Sequence, residues 1–296
     1  MQLSDLVTFA AVARCGGVTR AAGELNTVQS NVTNRIRALE AEVGVPLFER
    51  HSRGMTLTGA GRRLLPYTQR LAAMTREALL AARDDGEPKG PLALGSMETT
   101  AAVRLPPLLT RFHQRFPAVQ LKLRTGPTAA QVSAVLDGSL DGAFVAGPVQ
   151  HPELVTVPAF REELVLVTAR RWTSLAALRA AKRDAGPTIL VFRTGCSYRQ
   201  RLEQLLAELG WPCATRLEFG TLDGMIGCVA ADMGVTLLPR LVVERSDMNR
   251  NVRAHGLSGA QSRVETVFVR RRVAHKNSAL RSFVACLKPA KSVAAA

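Results

Sequence analysis

Between residues 19 and 39 the chain offers two helical patterns separated by a turn of a few polar residues, and each pattern has apolar side chains on one side only. Stepping about 100° per residue, Val32, Ile36, Leu39 and Val43 fall within a narrow arc, while Ser30 and Asn34 point the opposite way, flanked by Thr33 and Arg37. Thr27 is predicted to cap this second helix, its side-chain oxygen holding a free amide of the first turn. Thr19 is predicted to cap the first helix, in which Ala21, Ala22 and Leu25 face inward and the small alanines let the two helices cross closely. The outward face of the second helix is small, polar and uncharged except for Arg37, which suits base edges in a DNA major groove. Gln29 and Asn31 lie in its first turn, the part that reaches deepest into such a groove. The same periodicity also describes any αα-hairpin in a helical bundle, so the helix pair alone leaves both readings open.

Residues 46–54, PLFERHSRG, pass from two apolar anchors into a tight, doubly basic turn that reads as a wing. Arg50 and Arg53 there are placed to lie along phosphates or enter a narrow minor groove, where the negative potential is largest. Five local motifs now stand together: FAAVA at 9–13, TRAA at 19–22, VQS at 28–30, IRALE at 36–40, and GVPLFER at 44–50 followed by LT and AG at 57–61. In combination they resemble the N-terminal region of LysR-type transcriptional regulators over about the first 65 residues. The sequence departs from that pattern at Val28, where the family commonly has Ser, and at Ser30, where it commonly has Pro.

The formal charge of +15 is distributed against expectation. Residues 1–89 hold 12 Lys+Arg against 9 Asp+Glu, whereas residues 90–296 hold 27 against 15. Global basicity therefore draws the chain to DNA non-specifically at most, and carries no argument for sequence recognition. A hydrophobic fraction of 47% marks a globular chain rather than a disordered one. No stretch approaches the length of a membrane span, and Asp5 stands where a secretory leader would be basic, so the expected location is the cytoplasm. The five cysteines form no CxxC pair and no cluster with the five histidines, which argues against a zinc site or a disulfide framework. No cofactor is expected beyond a small-molecule effector.

Thr58 is predicted to cap a long helix running to about residue 82, with Leu64, Leu71 and Ala78 in one seven-residue series and Tyr67, Met74 and Ala81 in another. Its small alanines and internal Pro66 make this a/d seam a weak coiled coil that assists dimerisation. The run 83–91, RDDGEPKGP, then breaks the helix. Beyond it, short β-type runs at 92–94, 119–123, 142–146, 164–168, 188–192 and 235–238 alternate with helical stretches, predicting βα units on largely parallel sheets.

This region resembles the effector-binding domain of the same family, with the two-lobed architecture of periplasmic solute-binding proteins. The resemblance places the chain in the α/β class. It implies a winged helix-turn-helix at 1–58, a linker helix and hinge at 59–89, and an effector domain at 90–296. Within that domain lobe I spans about 90–167 and 268–296 and lobe II about 168–267, the chain returning at 264–269 and ending in a helix at 278–287. Four loops at strand ends face the presumed crevice, where ligands of open α/β sheets bind. Their candidate ligand-binding residues are Ser96, Glu98, Thr99 and Thr100; Thr128; Thr194, Gly195, Cys196 and Ser197; and Thr221. Each loop taken alone also reads as simple helix capping. Helix N-termini favour anions, whereas Glu98 favours an amine. Cys196 at a helix start is read first as a small pocket residue and second as a redox-sensitive thiol.

The family resemblance further implies a homodimer or homotetramer, T/A-rich palindromic sites in double-stranded DNA, and contact with RNA polymerase. A solute-binding protein or metabolic enzyme with a helical appendage is the alternative. For an enzyme the cleft loops show no glycine-rich phosphate loop, no metal-spaced His/Cys set and no nucleophile elbow. A general nucleoid protein would not need two lobes.

Overall fold

The computed structural model describes residues 1–51, 54–181, 186–192, 195, 197–211, 215–259, 262–272 and 277–287. The chain divides into two compact units, one led by Met1–Asp84 and the other beginning at Asp85, each with its own core.

The first unit opens with α1 (Leu3–Cys15), α2 (Val18–Glu24) and α3 (Gln29–Val43), packed around Phe9, Val12, Ile36 and Leu39. Gly16, at a φ of 68°, ends α1 in the left-handed conformation, and Gly17 takes the cap of α2. Thr19 therefore lies inside α2, not ahead of it as the sequence predicted. At the other end of α2 the amides of Asn26 and Thr27 donate to the carbonyls of Gly23 and Ala22, with Asn26 at a φ of 50°. This Schellman turn spends Thr27 on closing α2, so Val28 is the cap residue of α3. The Thr27 hydroxyl does not hold an α3 amide as expected; it accepts from Asn31 Nδ2 at 2.9 Å.

A hairpin of β1 (Phe48–His51) and β2 (Gly54–Leu57) follows, with Arg50 opposite Met55. Two contacts fix it against the helices. The Met55 amide donates to the Gly16 carbonyl at 3.1 Å, and Glu40 Oε1, near the end of α3, accepts from the amides of Leu47 at 2.8 Å and Phe48 at 3.2 Å. Then α4 (Gly59–Ala82) begins where Thr58 accepts from the Gly61 amide at 3.0 Å, as the sequence predicted. A Cβ on Gly61 would fall 2.2 Å from the Leu47 carbonyl oxygen, so only glycine lets α4 pass this close to the wing's root.

Since Trp172 and Trp211, the two tryptophans of the chain, both lie in the second unit, tryptophan fluorescence tracks that unit while helical circular dichroism tracks both. Glu40→Gln, which keeps an acceptor but loses its charge, should cost the first unit about 1 kcal/mol. The expected result is a lower melting midpoint by circular dichroism with an unmoved fluorescence transition. Movement of the fluorescence transition instead would refute this role.

In the second unit the order is β3 (Gly90–Ser96), α5 (Glu98–Val103), α6 (Leu105–Arg115), β4 (Val119–Thr125), α7 (Thr128–Leu136) and β5 (Gly142–Ala146). The chain continues through β6 (Leu154–Ala169), α8 (Leu175–Ala181), β7 (Ile189–Phe192), α9 (Ser197–Glu208), β8 (Arg216–Phe219), α10 (Leu222–Ala230) and β9 (Thr236–Pro239). It finishes with α11 (Arg240–Arg245), β10 (Val252–Gly256), β11 (Arg263–Arg271) and α12 (Ser278–Leu287). Here the expectation of largely parallel sheets needs correction. Parallel pairs join β3 to β4 and β5, and β7 to β8, but β11 and β6 run antiparallel to their neighbours.

The reason is that the lobes are bridged by extended chain. Up to Glu163, β6 pairs with β11 on one lobe; from Leu164 it pairs with β9 and β10 on the other. Both residues before the switch are clamped. Arg104 donates through Nε and Nη2 to Glu162 at 2.8 and 2.9 Å, and Arg240 does the same to Glu163 at 2.9 and 2.7 Å. Leu92, Phe112, Phe144, Phe268 and Phe283 fill one lobe; Leu164, Leu166, Ile189, Leu202 and Leu206 belong to the core of the other.

On β10, His255 is buried, and its Nε2 lies 2.9 Å from Thr168 Oγ1, whose own proton goes to the Ala169 carbonyl. Burial, reinforced by the charge of Arg253, pushes the imidazole below its ordinary value of about 6.5. The unfolded chain thus takes up a proton near pH 6.5 that the folded chain refuses, so this group costs stability as pH falls below about 6.5 and nothing above it. In His255→Gln the loss of fluorescence melting temperature between pH 7.5 and 5.5 should shrink. An unchanged loss would dissociate it from this histidine.

Candidate nucleic-acid interface and ligand cleft

On α3, Val32, Ile36 and Leu39 are fully buried, whereas Gln29, Ser30, Asn31, Asn34 and Arg37 are exposed and Thr33 half-buried. Val43, placed by periodicity in the buried arc, is exposed, because α3 outruns the core in its last turn. Arg35 is not part of the open face: its Nη1 donates to Asp5 on α1 at 3.1 Å and braces the helix from behind. Arg50 is exposed on β1, while Arg53 falls outside the described residues.

Between the α1–α2 turn and the wing lies a shallow depression whose rim carries Thr19, Arg20, Arg50 and His51. Arg20 is a second exposed cation beside Arg50 that the sequence reading passed over. Its signal was its place at the start of a helix in the TRAA motif. Apart from Arg37, uncharged hydrogen-bonding groups thus occupy the helix face, while Arg20 and Arg50 stand at the depression beside the wing.

On α4 the heptad positions Tyr67 and Met74 are 66% and 59% exposed, and Leu71 and Ala78 are also exposed, whereas Leu64 packs against the core of its own unit and Ala81 is half-buried. The line from Tyr67 to Ala78 is open on the outside of its own unit.

The second unit carries a cavity of about 250 Å³ at the strand ends of both lobes. Three threonines line it: Thr99 near the start of α5, Thr125 at the end of β4, and Thr128 opening α7. Glu98 shares the wall with Met97, and the aromatic rings of Phe192, Tyr198 and Phe219 close the opposite side. Thr99 is 2% exposed, and its Oγ1 has no hydrogen-bond partner. Thr128 Oγ1 accepts from the Ala146 amide at 3.3 Å, which leaves its proton to donate.

Of the residues singled out from sequence, Glu98, Thr99 and Thr128 come together on this cavity. Ser96 and Thr100 do not: both are buried, and the Ser96 hydroxyl donates to the Met97 carbonyl at 3.0 Å. Thr221 is spent capping α10, accepting from the Gly224 amide at 3.4 Å, and only its neighbour Gly220 reaches the cavity wall. Gly195, with a φ of 93°, sits where a Cβ would meet Pro127 and Ala129 at 3.5 Å, so it faces the start of α7 across the cleft. Ser197 opens α9 with its hydroxyl buried and unpartnered, off the cavity wall. Thr194 and Cys196 lie outside the described residues.

The aromatic wall was missed. Phe192 and Phe219 are the last residues of β7 and β8, and the available signal was a phenylalanine ending an apolar or alternating run just before a polar turn.

Residues 3–62 match the family described as bacterial regulatory helix-turn-helix protein, lysR family, and residues 85–292 match the LysR substrate binding domain. The uncharacterized HTH-type transcriptional regulator YusT of Bacillus subtilis is 44% identical over 292 residues, covering 99% of this chain and 97% of YusT. GltR of the same organism, also an HTH-type transcriptional regulator, is 42% identical over 284 residues, covering 96% and 95%. Among solved structures, full-length CbnR complexed with its target DNA aligns with a TM-score of 0.67 at 25% identity, covering 97% of this chain and 99% of CbnR. A full-length OxyR variant from Pseudomonas aeruginosa aligns at 0.70 with 20% identity, over 98% and 96%, a likeness of fold.

Proposed function

We propose, from the premise that this chain belongs to the LysR family of bacterial helix-turn-helix transcriptional regulators, that it reads promoter DNA through α3 and the wing and is switched by a small molecule held between its two lobes. One observation carries the DNA half: the α3 face bearing Ser30, Asn31 and Asn34 is open while Val32, Ile36 and Leu39 opposite it are sealed in the core. In this reading Gln29, Ser30, Asn31 and Asn34 meet base edges, Thr33 flanks them, and Arg37, Arg20 and Arg50 meet phosphates.

The exposed line of Tyr67, Leu71 and Met74 on α4 supports pairing of two copies, so that two reading heads meet the two halves of a T/A-rich palindrome; a pair of such dimers gives the tetramer. RNA polymerase is the partner through which binding acts on transcription. No described helix is long and apolar enough to cross a membrane, and we place the protein in the cytoplasm. The switch itself is a shift in the relative orientation of the lobes when a ligand fills the cleft, which favours one spacing of the reading heads over another.

Selection from a random-sequence DNA pool by the full-length protein tests the core of this reading. The expected outcome is enrichment of an inverted repeat with half-sites about one helical turn or a multiple apart. A pool that stays random after repeated rounds at physiological salt would overturn it.

A further inference from the structure

The chemistry of the cleft narrows what fills it, provided the cleft is the regulatory pocket proposed above. We propose that it takes a small zwitterion, an α-amino acid with an apolar side chain, whose ammonium meets Glu98 and whose carboxylate meets the start of α7. The two poles are separate observations. Among the described residues lining the cavity, Glu98 carries a charge and no Lys, Arg or His does, although residues 90–296 hold 27 Lys+Arg. A purely anionic ligand would therefore face a carboxylate with no cation among the described wall residues to answer it.

The opposite pole is built to donate. The nine-residue helix α7 begins at Thr128, and its first intrahelical bond is from the Gln131 amide to the Pro127 carbonyl at 3.1 Å. The amides ahead of it have no acceptor within the helix, which makes this end attractive to a carboxylate. Thr99 supplies the independent sign that a ligand group belongs here, since the residue lines the cavity and its hydroxyl is buried and unpartnered. A purely cationic ligand would leave these donors unanswered. An amino acid satisfies both poles at once, and its side chain falls among Phe192, Tyr198 and Phe219. A cavity of about 250 Å³ suits a ligand of that size.

Isothermal titration of the full-length protein decides the matter. The probes are L-leucine and L-phenylalanine, their analogues lacking the ammonium (4-methylpentanoate, 3-phenylpropanoate), those lacking the carboxylate (3-methylbutylamine, 2-phenylethylamine), and succinate. At least one amino acid should bind, and removal of either pole should weaken it about 30-fold or more. Glu98→Gln should weaken the amino acid at least about 10-fold and leave any residual binding of the carboxylate analogue unchanged. The zwitterion is overturned if neither amino acid binds by about 10 mM, if a carboxylate binds as tightly, or if Glu98→Gln has no effect.

Two cleft-filling variants, Thr128→Trp and Gly220→Trp, separate this from the wider reading. Succinate or 3-phenylpropanoate binding that either variant abolishes removes the amino acid while keeping the cleft as the ligand site. Binding that survives in folded forms of both variants puts the ligand elsewhere and removes both claims.

Discussion

Arg104→Ala should lower the fluorescence-detected melting temperature of the second unit by roughly 6–12 °C. The Glu162 carboxylate is 4% exposed and accepts hydrogen bonds from both Nε and Nη2 of Arg104, while the guanidinium also lies over the Phe160 ring at 5.6 Å. Removing the arginine leaves a buried charge uncompensated, a loss of about 3–5 kcal/mol when both partners are buried. Arg104 is itself 31% exposed, so water can reach part of the vacated space and the lower end, about 3 kcal/mol, applies. For a unit of this size each kcal/mol moves the midpoint by about 2–4 °C.

Replacing both partners, as in Arg104→Met with Glu162→Leu, should recover most of the loss, because neither charge then remains to be desolvated. A single variant that melts within about 1 °C of the parent would show that the pair contributes nothing net. The position gives this result a functional edge. Glu162 and Glu163 immediately precede the point where β6 changes lobes, and Arg245 on α11 also donates to the Val103 carbonyl at 3.1 Å. The lobes are thus tied beside their crossover by groups that a change of lobe orientation must accommodate.

How far such features could be read in advance depended on whether they were local. Thr58 as a cap and the apolar heptad line of α4 each follow from the periodicity and capping chemistry of one segment, whereas the span of α12 came with the family resemblance. The caps of α2 and α3 were misplaced because the glycines at 16 and 17 and the left-handed Asn26 move each boundary; both are residue types that favour helix ends, but Thr19 and Thr27 beside them offered the more familiar side-chain cap. In β6 the charged run Arg161, Glu162, Glu163 hid a single strand of sixteen residues: its acids are satisfied by arginines distant in sequence. For β8 the alternation of Arg216, Leu217, Glu218 and Phe219 was too short to stand out, and with it went the ring of Phe219 on the cavity wall. Glu40, which holds the wing to α3 through two amides, had no sequence signature at all, since a glutamate near a helix end is ordinarily a solvated one.

Asn34→Ala and Arg50→Ala should separate the two modes of DNA contact proposed for α3 and the wing. Asn34 stands exposed one turn into α3, on the side opposite Val32 and Ile36, and a carboxamide there can both donate to and accept from one base edge. Its loss should reduce discrimination between the selected site and random DNA about 10- to 100-fold while leaving affinity for random DNA nearly unchanged. Arg50, exposed on the wing, offers charge in place of pattern. Without it both DNAs should bind more weakly by a similar factor, and the slope of log affinity against log salt should fall by about one phosphate. Fluorescence anisotropy on both duplexes between 50 and 200 mM salt measures all four quantities. Equal losses on both sequences from Asn34→Ala would place that residue on the backbone, and an unchanged salt slope for Arg50→Ala would take the wing off the phosphates. Because Thr27 already accepts from Asn31 Nδ2, Asn31 is more constrained than Asn34, and Asn31→Ala should cost less discrimination in the same assay.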